Sequence, residues 1–307
     1  MLAYAARRLA AVLPTLLVIV TLAFVVVRLA PGGPFDAEQS LPPEVKANLE
    51  RVYGLDQPLG RQYLHYLAGV ARGDFGPSMK YRDLSVQALI TQGLPVSLIL
   101  GLAALAVALA VGVSLGTWAA LKRGTAVDHG IMSVAVLGVA LPGFVTGPLL
   151  VLTFGLGLHW LPVAGWQPGE PRYLILPVVT LALPLIAYIV RLVRSSLLDV
   201  LQSDYIRAAR ARGLGNRRII WRHALPPAML PVVSYLGPAT AFVVTGSLVV
   251  ETVFGLPGSG RYLVEGAINR DYTLVMGMVI VYGVITLLCN LAADLIYGWL
   301  DPRISHA

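Results

Sequence analysis

Six stretches of the chain lack Asp, Glu, Lys and Arg, and each is long enough, or nearly so, to cross a membrane. They cover residues 9–27, 84–121, 129–169, 173–190, 223–250 and 272–293. A helix needs about 20 apolar residues to cross a hydrocarbon core of about 30 Å. The pattern therefore predicts an all-α membrane protein with six transmembrane helices, at 9–29, 94–121, 131–157, 173–193, 228–250 and 273–299.

The first and third stretches each allow a second interpretation. The third is long enough for two spans, but residues 155–169 are rich in Trp, Gly and Pro, which is typical of an interfacial loop. Pro142, Gly143, Gly147 and Pro148 predict a bend within this span. The first stretch follows two arginines as in a signal peptide, but its apolar run exceeds the usual length of about 7–15 residues. We therefore predict an uncleaved first span.

Composition excludes several classes of protein. Hydrophobic residues make up 57% of the chain and charged residues 13%, whereas soluble domains carry about 25% charged residues. A cytosolic enzyme, a secreted disulfide scaffold and a disordered chain are therefore excluded. The one cysteine, Cys289, falls within the sixth predicted span, where plain packing is its usual role.

The net charge of +7 predicts the orientation. Cytoplasmic segments of membrane proteins carry an excess of Lys and Arg, whereas long loops count little. With the N-terminus inside, the inner segments hold Arg7, Arg8, Lys122, Arg123, eight arginines within 191–222, and Arg303. Most of the remaining basic residues lie in the long loop 31–93 beside a similar number of acids. Both termini are therefore predicted to be cytoplasmic.

The loop 31–93 is too polar to span a membrane and too long for a simple connection. Residues 41–50 predict a short helix with Pro near its start, and residues 61–70 predict a second helix with a partly apolar face. Loops of this length are usually functional or disordered. We expect an ordered cap on the periplasmic side; a solvated loop without a partner is the alternative.

The segment 199–227 contains the most informative pattern. Asp204 is predicted to cap a helix rich in Ala and Arg, and Gly213 to end it. The arginines alone would be explained by the positive-inside rule or by anionic lipid. Ala208, Ala209 and Gly213 instead indicate a bare helix face that another protein can approach closely.

This segment resembles the loop shared by the inner-membrane permease subunits of bacterial ABC importers. That loop has the pattern Glu-Ala-Ala, three residues, Gly, nine residues, Ile-x-Leu-Pro. Ala208-Ala209, Gly213 and Leu225-Pro226 stand at the required spacing. Arg207 replaces the usual Glu and His223 the usual Ile, as in the branch that transports peptides and nickel. Further motifs resemble the oligopeptide permease B subunits of that branch: 28–32, 41–45, 73–78, 246–258, 269–272 and 300–303.

The resemblance implies a type I ABC importer permease fold, formed by a single permease domain over 1–307. It also implies a heteromeric importer of oligopeptides in the bacterial inner membrane. The partners would be a second permease subunit, two ATP-binding subunits that bind the ATP and Mg, and a periplasmic peptide-binding protein. The helix at 204–213 would insert into an ATPase groove. The residues assigned to this coupling are Asp204, Tyr205, Arg207, Ala208, Ala209, Arg212, Gly213, Leu225 and Pro226.

A second set of residues is predicted to serve the translocation pathway. Glu251 ends an uncharged stretch, and the Gly- and Pro-rich backbone after it is tolerated at membrane depth only where it is buried in protein or lines a wet cavity. The residues of this predicted outer gate are Glu251, Gly255, Pro257, Gly258 and Gly260. An ordinary short turn is the alternative.

Three further polar residues belong to the sixth span or its start. Asn290 and Asp294 lie deep in the span, where acidic residues are costly and usually functional. Asp294 has the alternative of pairing with an arginine at the inner interface. Asp271 is expected to cap the sixth helix.

Gly112 and Gly116 in the second span predict close helix packing.

Several patterns needed for chemistry are missing from the sequence. The dipeptide Gly-Lys does not occur, so the chain has no phosphate-binding loop of the Walker type. The five histidines have no metal-ligand spacing. We therefore expect a transporter subunit that is not an enzyme and holds no cofactor. Dipeptide or nickel-chelate transport by the same family is the first alternative, a stand-alone secondary transporter the second, and a structural scaffold the third.

Overall fold

The computed structural model describes residues 2–29, 32–35, 42–81, 83–245 and 247–300. Five helices in these ranges are long and apolar enough to cross a membrane, or six if one bent pair counts as a span. The five are α1 (Leu2–Leu29), α4 (Val86–Leu121), α7 (Arg172–Leu201), α11 (Leu230–Thr245), which is followed by a short helix within the same span, and α14 (Tyr272–Leu300). Of the motifs named above, residues 30–31, Leu41, Gly246 and 301–303 lie outside the described residues.

The bent pair corresponds to the third predicted span. It consists of α5 (Ala126–Ala140) and α6 (Gly143–Leu150), and α6 continues as a π-helix over Val151–Gly157. The two parts meet at 106°. Leu141 has φ −89° and ψ 114°, because a residue before proline is pushed out of the helical region. Pro142 then begins the second part, so the predicted bend is confirmed.

The remaining helices are short. They are α2 (Pro43–Val52), α3 (Leu59–Ala71), α8 (Asp204–Ala211), α9 (Asn216–Arg218), a π-helix over Ile219–Ala224, α10 (Leu225–Ala228), α12 (Leu248–Val253) and α13 (Ser259–Ile268). The helices predicted at 41–50 and 61–70 are thus present as α2 and α3, each shifted or extended by about two residues. The loop between the first two long helices is ordered in its described part.

The chain divides into two compact units. The first unit consists of Met1–Leu9, Ser97–Leu256 and Ile285–Ala307. Its long helices pack closely at glycines: a Cβ at Gly112 would lie 2.8 Å from the Ile189 side chain, and one at Gly116 would lie 2.8 Å from the Val190 carbonyl oxygen. The prediction that these glycines allow close packing is confirmed, and the partner is α7.

The second unit consists of Ala10–Val96 and Pro257–Val284. We call α2, α3 and the loop that follows to Ser85 the cap. The cap shares an aromatic cluster with α1 and α14, in which Phe24, Phe35, Met79, Tyr272 and Met276 are buried. Tyr63 of α3 meets Phe24 edge-on at 5.3 Å and hydrogen-bonds Thr21 at 2.7 Å. These contacts attach the cap to α1 and α14.

Candidate functional site

Helix α8 is fixed to the first unit through its first turn. Ile206 is fully buried in an apolar cluster with Leu197 of α7 and Ile219 of the following π-helix. The Tyr205 hydroxyl donates a hydrogen bond to the His223 carbonyl oxygen at 3.3 Å. The helix is therefore attached both to the element before it and to the element after it.

The exposed face of α8 is basic rather than bare. Arg207 and Ala208 are exposed, whereas Ala209 is half-buried against the Ile206 cluster. That Ala208, Ala209 and Gly213 form a contact face stays a prediction. Arg207 pairs with Asp204, but the two side chains are 70% and 91% exposed, so the pair adds little stability.

The ends of α8 differ in how well they match the prediction. Ser203 rather than Asp204 occupies the N-cap position, and Asp204 is the first helical residue, where a negative charge still favours the helix N-terminus. At the other end, Arg212 is the C-cap and Gly213 has φ +76°. The Gly213 N–H donates to the Arg210 carbonyl oxygen at 2.9 Å. Glycine thus ends the helix as predicted.

The chain after α8 continues through α9 into a π-helix. It spans Ile219–Ala224 and leads directly into α10, in which Leu225 is buried and Pro226 is exposed. Trp221 is 62% exposed. Short π-helical turns occur frequently at functional sites, and this one lies beside α8.

Glu251 is a fully buried carboxylate in the first unit. Its Oε1 atom accepts a hydrogen bond from the Ser97 hydroxyl of α4 at 2.6 Å and a second one from the Ser247 hydroxyl. Ser247 is the N-cap residue of α12, and Glu251 lies in the first turn of that helix. The Glu251 carboxyl group thus joins α12 to α4 by hydrogen bonds.

The backbone after Glu251 begins with a helix C-terminal cap of the Schellman type, and its assignment to an outer gate rather than an ordinary short turn stays a prediction. Gly255 has φ +62°, and the Leu256 N–H donates to the Glu251 carbonyl oxygen at 2.8 Å. The Gly165 N–H, from the Trp-rich loop, donates to the Phe254 carbonyl oxygen at 2.8 Å. This part of the segment is therefore packed against protein, which satisfies its backbone groups.

The remaining predicted gate residues begin helix α13 in the second unit. Gly258 is the N-cap of α13, and Gly260 lies in its first turn. A Cβ at Gly93 of α4 would lie 2.8 Å from the Ser259 nitrogen, so only glycine allows this approach. Along the chain, the first unit ends at Leu256 and the second resumes at Pro257.

Asn290 and Asp294 are both half-buried in α14. Asn290 faces α11, because a Cβ at Gly237 would lie 3.0 Å from its Oδ1 atom and 2.8 Å from the Ala293 Cβ. The fifth and sixth predicted spans therefore pack closely at this level. The part that these two polar residues play in a pathway stays a prediction.

Asp271 caps α14 as predicted and has a second role. Its Oδ1 atom accepts the Leu274 N–H at 3.1 Å, whereas Oδ2 accepts the Met79 N–H at 3.1 Å and the Ser78 hydroxyl. The fully buried carboxylate thus ties the loop of the cap to the start of the last long helix.

The sequence matches the family model of binding-protein-dependent transport system inner membrane components over residues 112–306. It matches the N-terminal model of such membrane components over residues 1–83. The chain belongs to this permease family. The match includes all the residues of α8 and of the Gly- and Pro-rich segment described above.

Relatives of this permease extend over its whole length. It is 49% identical over 306 residues to the oligopeptide transport system permease protein OppB of Haemophilus influenzae, with 100% of each chain covered. It is 43% identical over 301 residues to the dipeptide transport system permease protein DppB of Bacillus subtilis, covering 98% of this chain and 97% of that relative.

A solved structure of the MetNI methionine ABC transporter in an inward-facing conformation shares the fold of the permease. The TM-score is 0.56 at 18% identity, with 69% of this chain and 96% of that chain covered. At this identity the likeness concerns the fold alone. It supports the expected architecture of an ABC importer permease.

A buried ion pair in this permease was missed by the sequence pattern. Arg194 of α7 donates from Nε and Nη2 to the two carboxylate oxygens of Asp128 at 2.6 and 2.7 Å. The Gly124 N–H donates to the same carboxylate at 2.9 Å. Asp128 is 2% exposed. A lone acid at the edge of an otherwise uncharged stretch was the available signal, because such an acid needs a partner when buried.

Proposed function

We propose that this chain is a permease subunit of an ATP-driven importer that moves oligopeptides from the periplasm to the cytoplasm. The observation that carries the proposal is the 49% identity, over the full length of both chains, to the Haemophilus influenzae oligopeptide permease OppB. The relative from Bacillus subtilis supports a second candidate, the transport of dipeptides, at 43% identity.

The proposal includes a division of labour between subunits. A second permease subunit completes the pathway, two ATP-binding subunits bind ATP and Mg, and a periplasmic protein delivers the peptide. This permease lies in the inner membrane with both termini in the cytoplasm. The family description, which names dependence on a binding protein, and the exposed basic face of α8 support this arrangement.

We infer that α8 passes motion from an ATP-binding subunit to the spans. Its exposed side chains, Arg207, Ala208, Arg210 and Arg212, would meet the partner, while Ile206 remains in the apolar cluster with Leu197. A push on α8 therefore acts on the end of α7. Cluster packing transmits displacement because protein interiors are close-packed.

We also infer that the segment 251–260 belongs to the periplasmic gate. The Glu251 carboxylate, held by Ser97 and Ser247, would fix the first half of the gate to α4. Gly93 and Ser259 approach closely at the second half. These contacts hold both ends of the segment against α4 in the present arrangement, and gating would require them to be exchanged for others.

Substitution at Gly213 tests the coupling. Gly213→Val forces a β-branched residue to φ +76° at the end of α8, although nothing lies within 4 Å of the new Cβ. Such strain costs about 1–3 kcal/mol and is relieved by changing how α8 ends. In the assembled transporter we expect ATP hydrolysis to continue while uptake of a labelled tripeptide falls several-fold.

The chain offers two matched controls. Gly73 also follows an Arg C-cap, has φ +76° and would have nothing within 4 Å of an added Cβ, but it ends α3 of the cap. Gly215 lies two residues after Gly213 without a positive φ. Gly73→Val and Gly215→Ala should keep the ratio of transport to hydrolysis. A normal ratio in Gly213→Val, or an equal loss in Gly73→Val, contradicts the coupling role.

A further inference from the structure

A groove runs between three helices of the first unit, α4, α5 and α7. Its volume is about 270 Å³, and aliphatic residues and glycines line it throughout. Helix α5 contributes Gly130, Val134 and Gly138 to this lining, and α7 contributes Leu183 and Ala187. All five residues fall in long uncharged stretches of the sequence, so the groove lies at membrane depth.

Small residues give the groove its shape. Ala135 and Ala187 are buried at its floor. A Cβ at Gly138 would lie 3.2 Å from the Leu183 carbonyl oxygen, so α5 and α7 close the groove at that end. A Cβ at Gly130 would meet nothing within 4 Å, and Gly130 is exposed, so the groove is open there. The two ends are about 12 Å apart along α5, at a rise of about 1.5 Å per residue.

Two cations and a tryptophan stand at the open end. Leu115 of α4 lines the groove, and Trp118 and Lys122 follow it after three and seven residues, which places them on the same helix face. The Lys122 N–H donates to the Trp118 carbonyl oxygen at 3.0 Å, so the helical path reaches Lys122. Trp118 is 52% exposed, and Lys122 and Arg123 are exposed too. The turn with these two cations leads into α5 shortly before Gly130.

The two cations have no carboxylate partner in the part of the chain that the structure describes. Asp128, the acid in the first turn of α5, is already neutralised by Arg194 at 2.6 Å and also accepts the Gly124 N–H. Lys122 and Arg123 therefore present an uncompensated positive charge beside an aliphatic groove.

We propose that this groove binds one anionic phospholipid, with an acyl chain between α5 and α7 and the phosphate at Lys122 and Arg123. The aliphatic lining suits a hydrocarbon chain, and a partly exposed tryptophan such as Trp118 is typical of the headgroup level. Basic pockets between membrane helices bind anionic headgroups on the cytoplasmic side, which is the side of this turn in the orientation proposed above. A helix of a second permease subunit would also fit the groove, but it would leave the two cations unexplained.

Gly130 allows the groove to be filled without a clash. Gly130→Leu places a side chain in the space that the acyl chain would occupy, whereas Gly130→Ala adds one methyl group and leaves most of that space free. Gly60→Leu is the matched control, because Gly60 also lies exposed in a helix, α3 of the cap, with nothing within 4 Å of an added Cβ.

A second matched pair of variants tests the headgroup contact. One removes the charges of Lys122 and Arg123 by substitution of both with Gln. The other does the same at Arg217 and Arg218, which are likewise consecutive and exposed but do not line the groove. A general attraction of lipid to basic residues predicts equal effects, whereas the proposed site predicts an effect of the first variant alone.

The test is native mass spectrometry of the full chain in detergent, titrated with dioleoyl phosphatidylglycerol or with dioleoyl phosphatidylcholine. We expect one phosphatidylglycerol to bind more tightly than the rest, and more tightly than phosphatidylcholine. Its affinity should fall about fivefold for each of Lys122→Gln and Arg123→Gln. It should fall about tenfold in Gly130→Leu, since displacing about two buried CH₂ groups has that effect. Gly60→Leu and the Arg217 and Arg218 variant should keep the affinity of the parent.

Several results would overturn the proposal. Equal affinity for the two lipids, or equal losses in the two charge variants, would refute recognition of the headgroup. An unchanged affinity in Gly130→Leu, or equally tight binding of dihexanoyl phosphatidylglycerol, would refute the place of the acyl chain. Loss of the bound lipid when a second permease subunit joins the chain would assign the groove to the subunit interface. The charge variants alter exposed side chains only, so they decide the question even if Gly130→Leu fails to fold.

The site does not depend on what the transporter carries. Peptide uptake by the assembled transporter is a separate measurement. Uptake without selective binding of phosphatidylglycerol refutes the lipid site and leaves the permease role intact, whereas selective binding without uptake of any peptide has the opposite meaning.

Discussion

Removing Arg194 should destabilise the first unit more than removing its partner Asp128. The side chain of Asp128 is 3% exposed, whereas that of Arg194 is 27% exposed. Arg194→Ala leaves a buried carboxylate that still accepts the Gly124 N–H at 2.9 Å but has lost its cation. Breaking a buried pair in this way costs about 3–5 kcal/mol.

Asp128→Ala should lower the free energy of unfolding by less than Arg194→Ala does. The long Arg194 side chain can turn its guanidinium toward solvent, so the expected cost is about 1–2 kcal/mol. Asp128→Asn in the Arg194→Ala background removes the uncompensated charge, and it should restore about 1–2 kcal/mol. From most to least stable, the expected order is therefore the parent, Asp128→Ala, the double variant with Asp128→Asn and Arg194→Ala, and Arg194→Ala alone.

This order can be measured by unfolding the purified full chain in mixed micelles with an increasing fraction of SDS. Far-ultraviolet circular dichroism follows the unfolding. Arg191→Ala is the matched control on the same helix, since Arg191 lies 5.8 Å from the Tyr188 ring centre and should cost about 1 kcal/mol or less. The reasoning is refuted if Asp128→Ala costs as much as Arg194→Ala, or if Asp128→Asn destabilises the Arg194→Ala protein further.

Three further predictions concern other buried or close contacts. Glu251→Leu should cost about 2–3 kcal/mol, because the Ser97 hydroxyl loses its acceptor, while Glu251→Gln keeps an acceptor oxygen and should cost less than half as much; SDS unfolding compares the two. Gly116→Ala should cost about 1–3 kcal/mol, because its Cβ meets a backbone oxygen at 2.8 Å, whereas Gly130→Ala, with nothing within 4 Å, should be nearly neutral in the same assay. Burial opposes ionisation of Glu265, but hydrogen bonds from Tyr81 and Arg261 lower its pKa below the ordinary 4.5. The stability that this ionised carboxylate contributes is therefore present above about pH 4.5 and is lost as the pH falls through the lowered pKa. Glu265→Gln should flatten an acid unfolding profile in that range.

The long helices were predictable because each must present about 20 apolar residues to lipid. The ends of these helices were harder to predict, because local contacts determine them. Helix α4 begins at Val86, well before the predicted 94, because the Ser85 hydroxyl accepts the Ala88 N–H at 3.1 Å and caps the helix. Helix α7 continues to Leu201 through Arg191 and Arg194. A search for uncharged stretches stops at these arginines, although Asp128 neutralises one of them.

The candidate site was predictable only where local geometry determines it. Gly213 ends α8 because a left-handed residue is needed at that position, and spacing in the sequence is enough to locate it. Ile206, by contrast, anchors α8 through contacts with Leu197 and Ile219, and one isoleucine among arginines gives no sign of its partners. One partner of Glu251 is Ser97, 154 residues away, and no local pattern connects these two residues.

The buried ion pair bears on how motion would pass through α7. Arg194 precedes the end of the helix at Leu201 by seven residues, which is about 10 Å at the helical rise of about 1.5 Å per residue. The Ile206 cluster holds α8 against Leu197, within that distance. Because Arg194 is bonded to α5 through both carboxylate oxygens of Asp128, a displacement of α8 cannot bend the end of α7 freely. If α8 transmits motion, α5 and α7 should therefore move together, because moving α7 alone would leave the Asp128 carboxylate buried without its cation.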